Sequence, residues 1–156
     1  MIYSATTEYA IRALAHMATL EPGERILARD LAAATGVPRQ FLGKILHRLA
    51  RLGLLDSAKG RGGGFRFLRP PSEILLADLV QSMEGEDIMQ LCVLGLAECN
   101  DQQPCPMHDQ WVDFRERLRE RLHSATMAEL GRNLKAKRAA CTIVPETIKV
   151  TEPQSR

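Results

Sequence analysis

Gly36 and Pro38 stand between two stretches of helical apolar spacing, and the second stretch runs straight into a glycine-rich hairpin pattern. Few folds accommodate that order. Upstream, a short helix over about Ala28–Thr35 turns Leu31 and Ala32 inward. Gly36 ends it with the permissive backbone that a tight turn between helices requires. Pro38 suits the first turn of the next helix, where its missing N–H costs nothing. In that helix Leu42, Ile45, Leu46 and Leu49 form a buried stripe, leaving Arg39, Gln40, Lys44, His47, Arg48 and Arg51 on other faces. Gly53 stops it. Leu54 and Leu55 begin an extended segment, Lys59-Gly60-Arg61-Gly62-Gly63-Gly64 forms a tip, and Phe65-Arg66-Phe67 alternates as a return strand.

The remaining elements are simpler. Ser4 is placed to cap a first helix carrying Ala10, Ala13, Leu14 and Met17 on one face, closed by Glu21-Pro22-Gly23. Ile74-Leu75-Leu76 reads as a third short strand and Ala77–Met83 as a fourth helix. Periodicity is lost from Glu84 to Met107. A long helix is predicted from about Pro106 to His123, with Trp111, Phe114, Leu118 and Leu122 on a narrow seam of the kind that pairs two copies. Thr126 and Glu129 fit a capping box for one more short helix. Beyond Asn133 the chain is polar and is expected to be disordered. Aromatics make up only 4% of the residues, so Leu, Ala, Ile and Val must fill the core, which favours helices. The predicted fold is therefore mainly α with a small β-wing. A winged helix-turn-helix occupies residues 1–83 and a cysteine-rich loop 84–108. A dimerisation helix and short terminal helix occupy 109–132, and a tail 133–156.

Charge points to a polyanionic partner. From Arg25 to Arg69 there are ten Lys and Arg against two acids, Asp30 and Asp56, although the whole chain carries only +2. The major groove admits one α-helix, and Gln pairs with adenine, Arg with guanine and Lys with phosphate. Arg39, Gln40, Lys44 and Arg48 are the candidate readers of double-stranded DNA, with Lys59 and Arg61 of the wing tip on phosphates or a minor groove. Tyr9 is either a backbone contact or a half-buried helix residue. A nucleotide-binding loop does not fit, because the glycine run is not followed by Lys-Ser/Thr and opens no helix. No signal peptide or membrane span is visible, and the expected location is the cytoplasm.

Cys92, Cys99, Cys105 and His108 crowd into one loop whose spacers hold Gly95, Asn100, Asp101 and Pro104. Three thiols and an imidazole suit an iron–sulfur cluster. They also suit zinc, although zinc knuckles are usually shorter, or a metal-free thiol switch. Small apolar loop residues are the plain alternative. Cys141 is left as an unassigned free thiol. His16, His47 and His123 lack ligand spacing and read as ordinary helix residues.

Together these segments resemble the IscR/NsrR-type regulators, the Rrf-two family, over about residues 1–132. The carriers are Glu8-Tyr9-Ala10, Leu31-Ala32 with Gly36-Val37, Arg48-Leu49 with Gly53-Leu54, the wing Lys59-Gly60-Arg61-Gly62-Gly63-Gly64-Phe65, and the three cysteines before Trp111. The resemblance implies a homodimer joined by a swapped long helix. It implies a palindromic operator and control by an iron–sulfur cluster that senses iron, redox state or nitric oxide. It implies no enzyme activity and no small-molecule substrate. Cys92, Cys99 and Cys105 match the cluster-ligating cysteines. His108 matches the histidine completing a 2Fe–2S site in some members. Glu8 stands where members with a 4Fe–4S cluster draw an acidic fourth ligand from the other subunit. Two departures bear on the operator: Gly43 stands where scaffold-assembly regulators carry an acid, and Lys44 where they carry glutamine. The first cysteine spacer is also one residue longer. A zinc- or thiol-based regulator, a small iron–sulfur electron carrier and a protein-docking adaptor are the rival readings. The electron carrier leaves the basic module unexplained.

Overall fold

A computed structural model describes residues 3–85, 92–96 and 99–140. The order is α1 (Ala5–Met17), α2 (Ala28–Thr35), α3 (Arg39–Arg51), β1 (Leu55–Ala58), β2 (Gly64–Phe67), α4 (Leu76–Glu84), α5 (His108–Ser124) and α6 (Met127–Ala140). No helix among the described residues is long and apolar enough to cross a membrane. Ser4 caps α1, its Oγ accepting the Thr7 amide at 3.2 Å. Gly36 ends α2 at φ +68°, the left-handed geometry for which glycine was expected there. Leu42, Ile45, Leu46 and Leu49 bury one face of α3 against Ala10, Ala13, Leu14 and Leu31. This trihelical core fixes the direction in which the opposite face of α3 points.

The wing is a two-stranded antiparallel ribbon with Leu55 opposite Phe67 and Ala58 opposite Gly64. Ile26, just before α2, extends it by exchanging backbone hydrogen bonds with Phe65, both at 2.9 Å. Gly64 sits at this seam with φ +120°, and a Cβ there would lie 2.6 Å from the Ile26 carbonyl oxygen. The expected third strand at Ile74–Leu76 is not formed. Leu75 makes a lone bridge to Thr126, and Leu76 already opens α4, where Asp78 accepts the Leu75 amide at 3.1 Å. The short apolar run suggested a strand, but the capping carboxylate one turn later starts a helix.

Asp56 braces the ribbon. Its carboxylate accepts from Arg66 Nε at 3.0 Å and Arg25 Nη2 at 2.5 Å, while Arg25 Nη1 donates to the Gly64 carbonyl at 3.1 Å. Hydrogen bonds from Arg66 and then Arg25 hold the Asp56 carboxyl below the usual carboxylate range. A depressed folded-state value adds stability that is complete above the unfolded carboxylate's titration and is lost as pH falls through the lowered one. Asp56→Asn is therefore expected to be less stable than the parent at neutral pH. The gap should close in acid below the ordinary aspartate range, as measured by denaturant unfolding at a series of pH values. A gap unchanged in acid would refute the brace.

α6 differs from expectation. It continues through Leu134 and Lys137 to Ala140 instead of yielding to a tail at Asn133. Two causes act together. The segment Leu134–Ala140 consists of strong helix formers. α6 also crosses the end of α1 so closely that a Cβ on Gly131 would lie 2.7 Å from Ala18 Cβ. Thr126 caps α6 by accepting the Glu129 amide at 3.2 Å, but the Glu129 carboxylate pairs outward with Arg121 at 2.6 Å. Cys141 and the rest of the expected tail lie outside the described residues.

The seam of α5 divides. Leu118 and Leu122 pack within the chain on Ala77 and Val80 of α4, beside Tyr3. Trp111 and Phe114 stack on each other, centroids 5.7 Å apart, and Phe114 stays 45% exposed.

Candidate nucleic-acid interface and cysteine site

The face of α3 opposite its leucine stripe carries Gln40, Lys44, His47 and Arg51, spaced i, i+4, i+7, i+11, all exposed. With Gly43 and Ser57 of β1 they line an open cleft of about 970 Å³ between the helix and the wing. The absent side chain at Gly43 leaves its floor free: a Cβ there would meet nothing within 4 Å. His47 was the residue that helix spacing alone read as ordinary. It lies in this cleft with its ring edge against Phe65, centroids 5.1 Å apart. The signal that finds it is its place in the Gln40–Arg51 row. Arg39 is exposed at the start of α3, and Lys59 and Arg61 are exposed at the wing tip. Tyr9 is half-buried against the core under the Arg12 guanidinium, 5.8 Å from its ring centroid.

Arg48 departs from expectation. It does not face the cleft. Its guanidinium donates to the carbonyls of Ser82 and Met83 at 3.0 and 3.1 Å, in the last turn of α4. It sits on the flank of α3 between the buried and open faces, where α4 ends.

The cysteine loop gathers its sulfurs around Cys92. Cys92, Cys99 and Cys105 are free and half-buried. Hydrogen bonds from the Leu94 and then the Leu96 amides, joined by the Cys105 and Cys99 thiols, pull the Cys92 thiol below its ordinary value. The Asn100 side chain accepts the Gln102 and Gln103 amides at 3.1 and 3.0 Å, turning the chain between Cys99 and Cys105. His108 opens α5, its amide donating to the Cys105 carbonyl at 2.9 Å. Its buried ring sets Nδ1 3.5 Å from Cys99 Sγ and Nε2 2.8 Å from Asp101 Oδ1. That is the posture of a ligating histidine: one nitrogen toward the donor cluster, the other on a carboxylate that fixes the tautomer. Among the described residues no three His, Cys, Asp or Glu side chains are set around one single metal ion. A soft thiolate set with one imidazole suits the chemistry of an iron–sulfur cluster.

A match to the Rrf2 family, described as iron-dependent transcriptional regulators, spans residues 3–133. The chain belongs to the Rrf2 family. It is a transcriptional regulator of a non-enzymatic class. A helix-turn-helix transcriptional regulator of Mycobacterium tuberculosis is 36% identical over 132 residues, covering 84% of this chain and 81% of that protein. Two solved structures share the fold. CymR, the global cysteine regulator of B. subtilis, superposes with TM-score 0.69 at 19% identity over 83% of this chain and 95% of its own. T. potens IscR superposes with TM-score 0.66 at 20% identity over 90% of this chain and 92% of its own. In this Rrf2 chain Glu8 stands in the first turn of α1. It lines a groove between α1 and α6 with Ile11, Arg12, Leu130 and Leu134.

Proposed function

We propose that this regulator is a cytoplasmic homodimer that binds a palindromic operator and represses from it, with affinity governed by an iron–sulfur cluster on Cys92, Cys99, Cys105 and His108. The observation that carries the cluster is the His108 ring, held between Cys99 and Asp101. The cluster, when bound, supplies a centre sensitive to iron supply, redox state or nitric oxide. The protein's part is to present three sulfurs and one oriented imidazole, and to carry the reading face. Gln40, Lys44, His47 and Arg51 enter the major groove from α3. Arg39 and Tyr9 flank them, and Lys59 and Arg61 reach backbone or minor groove from the wing. The exposed Phe114, stacked on a half-buried Trp111 in the first half of α5, supports pairing of two copies through that helix. Two copies then place two α3 helices on two half-sites.

The test is the visible absorption spectrum of protein purified without oxygen. A coloured, iron- and sulfide-containing protein is expected, and a colourless or zinc-containing one would overturn the cluster. Spectra of His108→Ala and Glu8→Ala decide the fourth ligand. The histidine variant is expected to shift the spectrum and the glutamate variant to leave it unchanged; the reverse assigns Glu8 of the partner subunit instead. A second reading, a metal-free thiol switch, is favoured by the lowered Cys92 thiol. It predicts a colourless protein whose operator binding changes on oxidation.

A further inference from the structure

Arg48 makes a contact that neither the reading face nor the core requires. α3 packs on α1, α2 and β1, whereas α4 packs on α1 and α5. The two helices meet mainly through α1, and their direct polar tie is Arg48. The last carbonyls of a helix lack partners and carry the negative end of its dipole. Here the Gln81 carbonyl is taken by the Gly85 amide, and Nη2 of Arg48 donates to the next two, Ser82 and Met83. Immediately beyond, the Glu84 carboxylate accepts the Ser4 amide at 2.7 Å, fastening the start of α1 to the same point. Burial pushes the Glu84 carboxyl up, but hydrogen bonds from Thr7 and Ser4 and the charge of Arg48 hold it below its usual range.

That point is where the cysteine loop departs. Gly85 follows at φ +90°, and the loop returns at His108, the first residue of α5. α4 and α5 carry the two ends of the loop and pack on each other through Val80 and Leu122. One turn away from Arg48 on α3 stand Lys44 and Arg51, in the cleft. The cysteine loop is thus joined in sequence to the end of α4, and one guanidinium nitrogen of Arg48 joins that end to the reading helix. A polar tie of two hydrogen bonds can shift or open without disturbing the leucine core, which a packed interface cannot do.

We propose that Arg48 is a positioning residue that couples the cysteine loop to α3, setting the reach of Lys44 and Arg51 into DNA. This rests on the reading of the loop as the sensing element. The test uses the full chain in four forms: parent, Cys92→Ser, Arg48→Met, and the double variant. Hydrogen–deuterium exchange of residues 39–51 and operator affinity are both measured. In the Arg48 background Cys92→Ser is expected to alter α3 exchange severalfold and operator affinity about tenfold, the size of an ordinary allosteric coupling. In the Arg48→Met background both responses should shrink to less than about twofold. A residue that merely stabilises the fold would lower the melting temperature and leave the ratio intact, and an intact ratio overturns the proposal. So does an α3 that does not respond to Cys92→Ser in the parent. If Arg48→Met fails to fold, Arg48→Gln takes its place. It keeps a polar side chain but loses the charge and the length to reach both carbonyls, and a full parental ratio in it is equally fatal. The absorption spectrum of the parent judges the cluster separately. A colourless parent whose α3 still responds through Arg48 would remove the cluster and keep the coupling.

Discussion

Lys44→Ala combined with Arg51→Ala is expected to weaken operator binding about a hundredfold, since each lost phosphate or base-edge contact is worth roughly 1–3 kcal/mol. Both side chains are exposed in the cleft of α3, and neither makes a hydrogen bond or ion pair with another side chain among the described residues. Folding stability should therefore change by no more than about 0.5 kcal/mol. The salt dependence identifies the kind of contact: each cation that neutralises a phosphate contributes about 0.9 to the slope of log affinity on log salt. Arg29→Ala is the control. Arg29 is equally exposed and basic, but it lies on α2 beside Asp30 at 3.1 Å, away from the cleft. Binding titrations over a salt series check both. A double variant within threefold of the parent would remove this face of α3 from the interface.

Gly64→Ala is expected to disrupt the wing and destabilise the domain by at least about 2 kcal/mol, the usual cost of a side chain in a disfavoured backbone region. Two independent effects coincide at this position. The backbone is at φ +120°, where side chains are rarely tolerated. The new methyl would also meet the Ile26 carbonyl oxygen at 2.6 Å and its carbon at 2.9 Å, both backbone atoms that cannot swing aside. Separating Gly64 from Ile26 breaks the paired hydrogen bonds between Ile26 and Phe65 and loosens Phe65, which supports His47. Thermal unfolding and operator titration should both register the change. Gly62→Ala offers a contrast. Its φ of +75° still strains alanine, but nothing lies within 4 Å of the added methyl, so a smaller loss is expected. A Gly64→Ala protein as stable as the parent would show that the wing does not need this close approach.

The helices of the DNA-binding unit were legible because each has a local signature. Ser4 announces α1, Gly36 separates α2 from α3, and the Leu42–Leu49 stripe states which face of α3 is inside. The glycine run between Leu55 and Phe67 likewise marked the wing. What sequence spacing misplaced were side chains on the borders of helix faces and elements held by distant partners. Arg48 looks like its neighbours until the end of α4 is brought beside it. His47 has no metal-ligand spacing, and its place in the cleft depends on Phe65 arriving from β2. The extension of α6 past Asn133 rests on the helix formers of Leu134–Ala140, which the sequence shows, together with packing on α1, which it does not.

The cysteine loop divides in the same way. Sequence alone determined which donors are available: three thiols and an imidazole within one segment, on a chain whose basic residues gather between Arg25 and Arg69. It also determined the inside and outside of α3, because a helix repeats on itself and needs no partner to define a face. Tertiary structure alone decided that His108 is buried with Nδ1 toward Cys99 and Nε2 on Asp101, and that the Arg48 guanidinium is held by the last turn of α4. Periodicity is a property of one element. The direction of a single polar side chain is set by whichever unpaired carbonyl, carboxylate or thiol the fold brings within hydrogen-bond reach, and that depends on residues far along the chain.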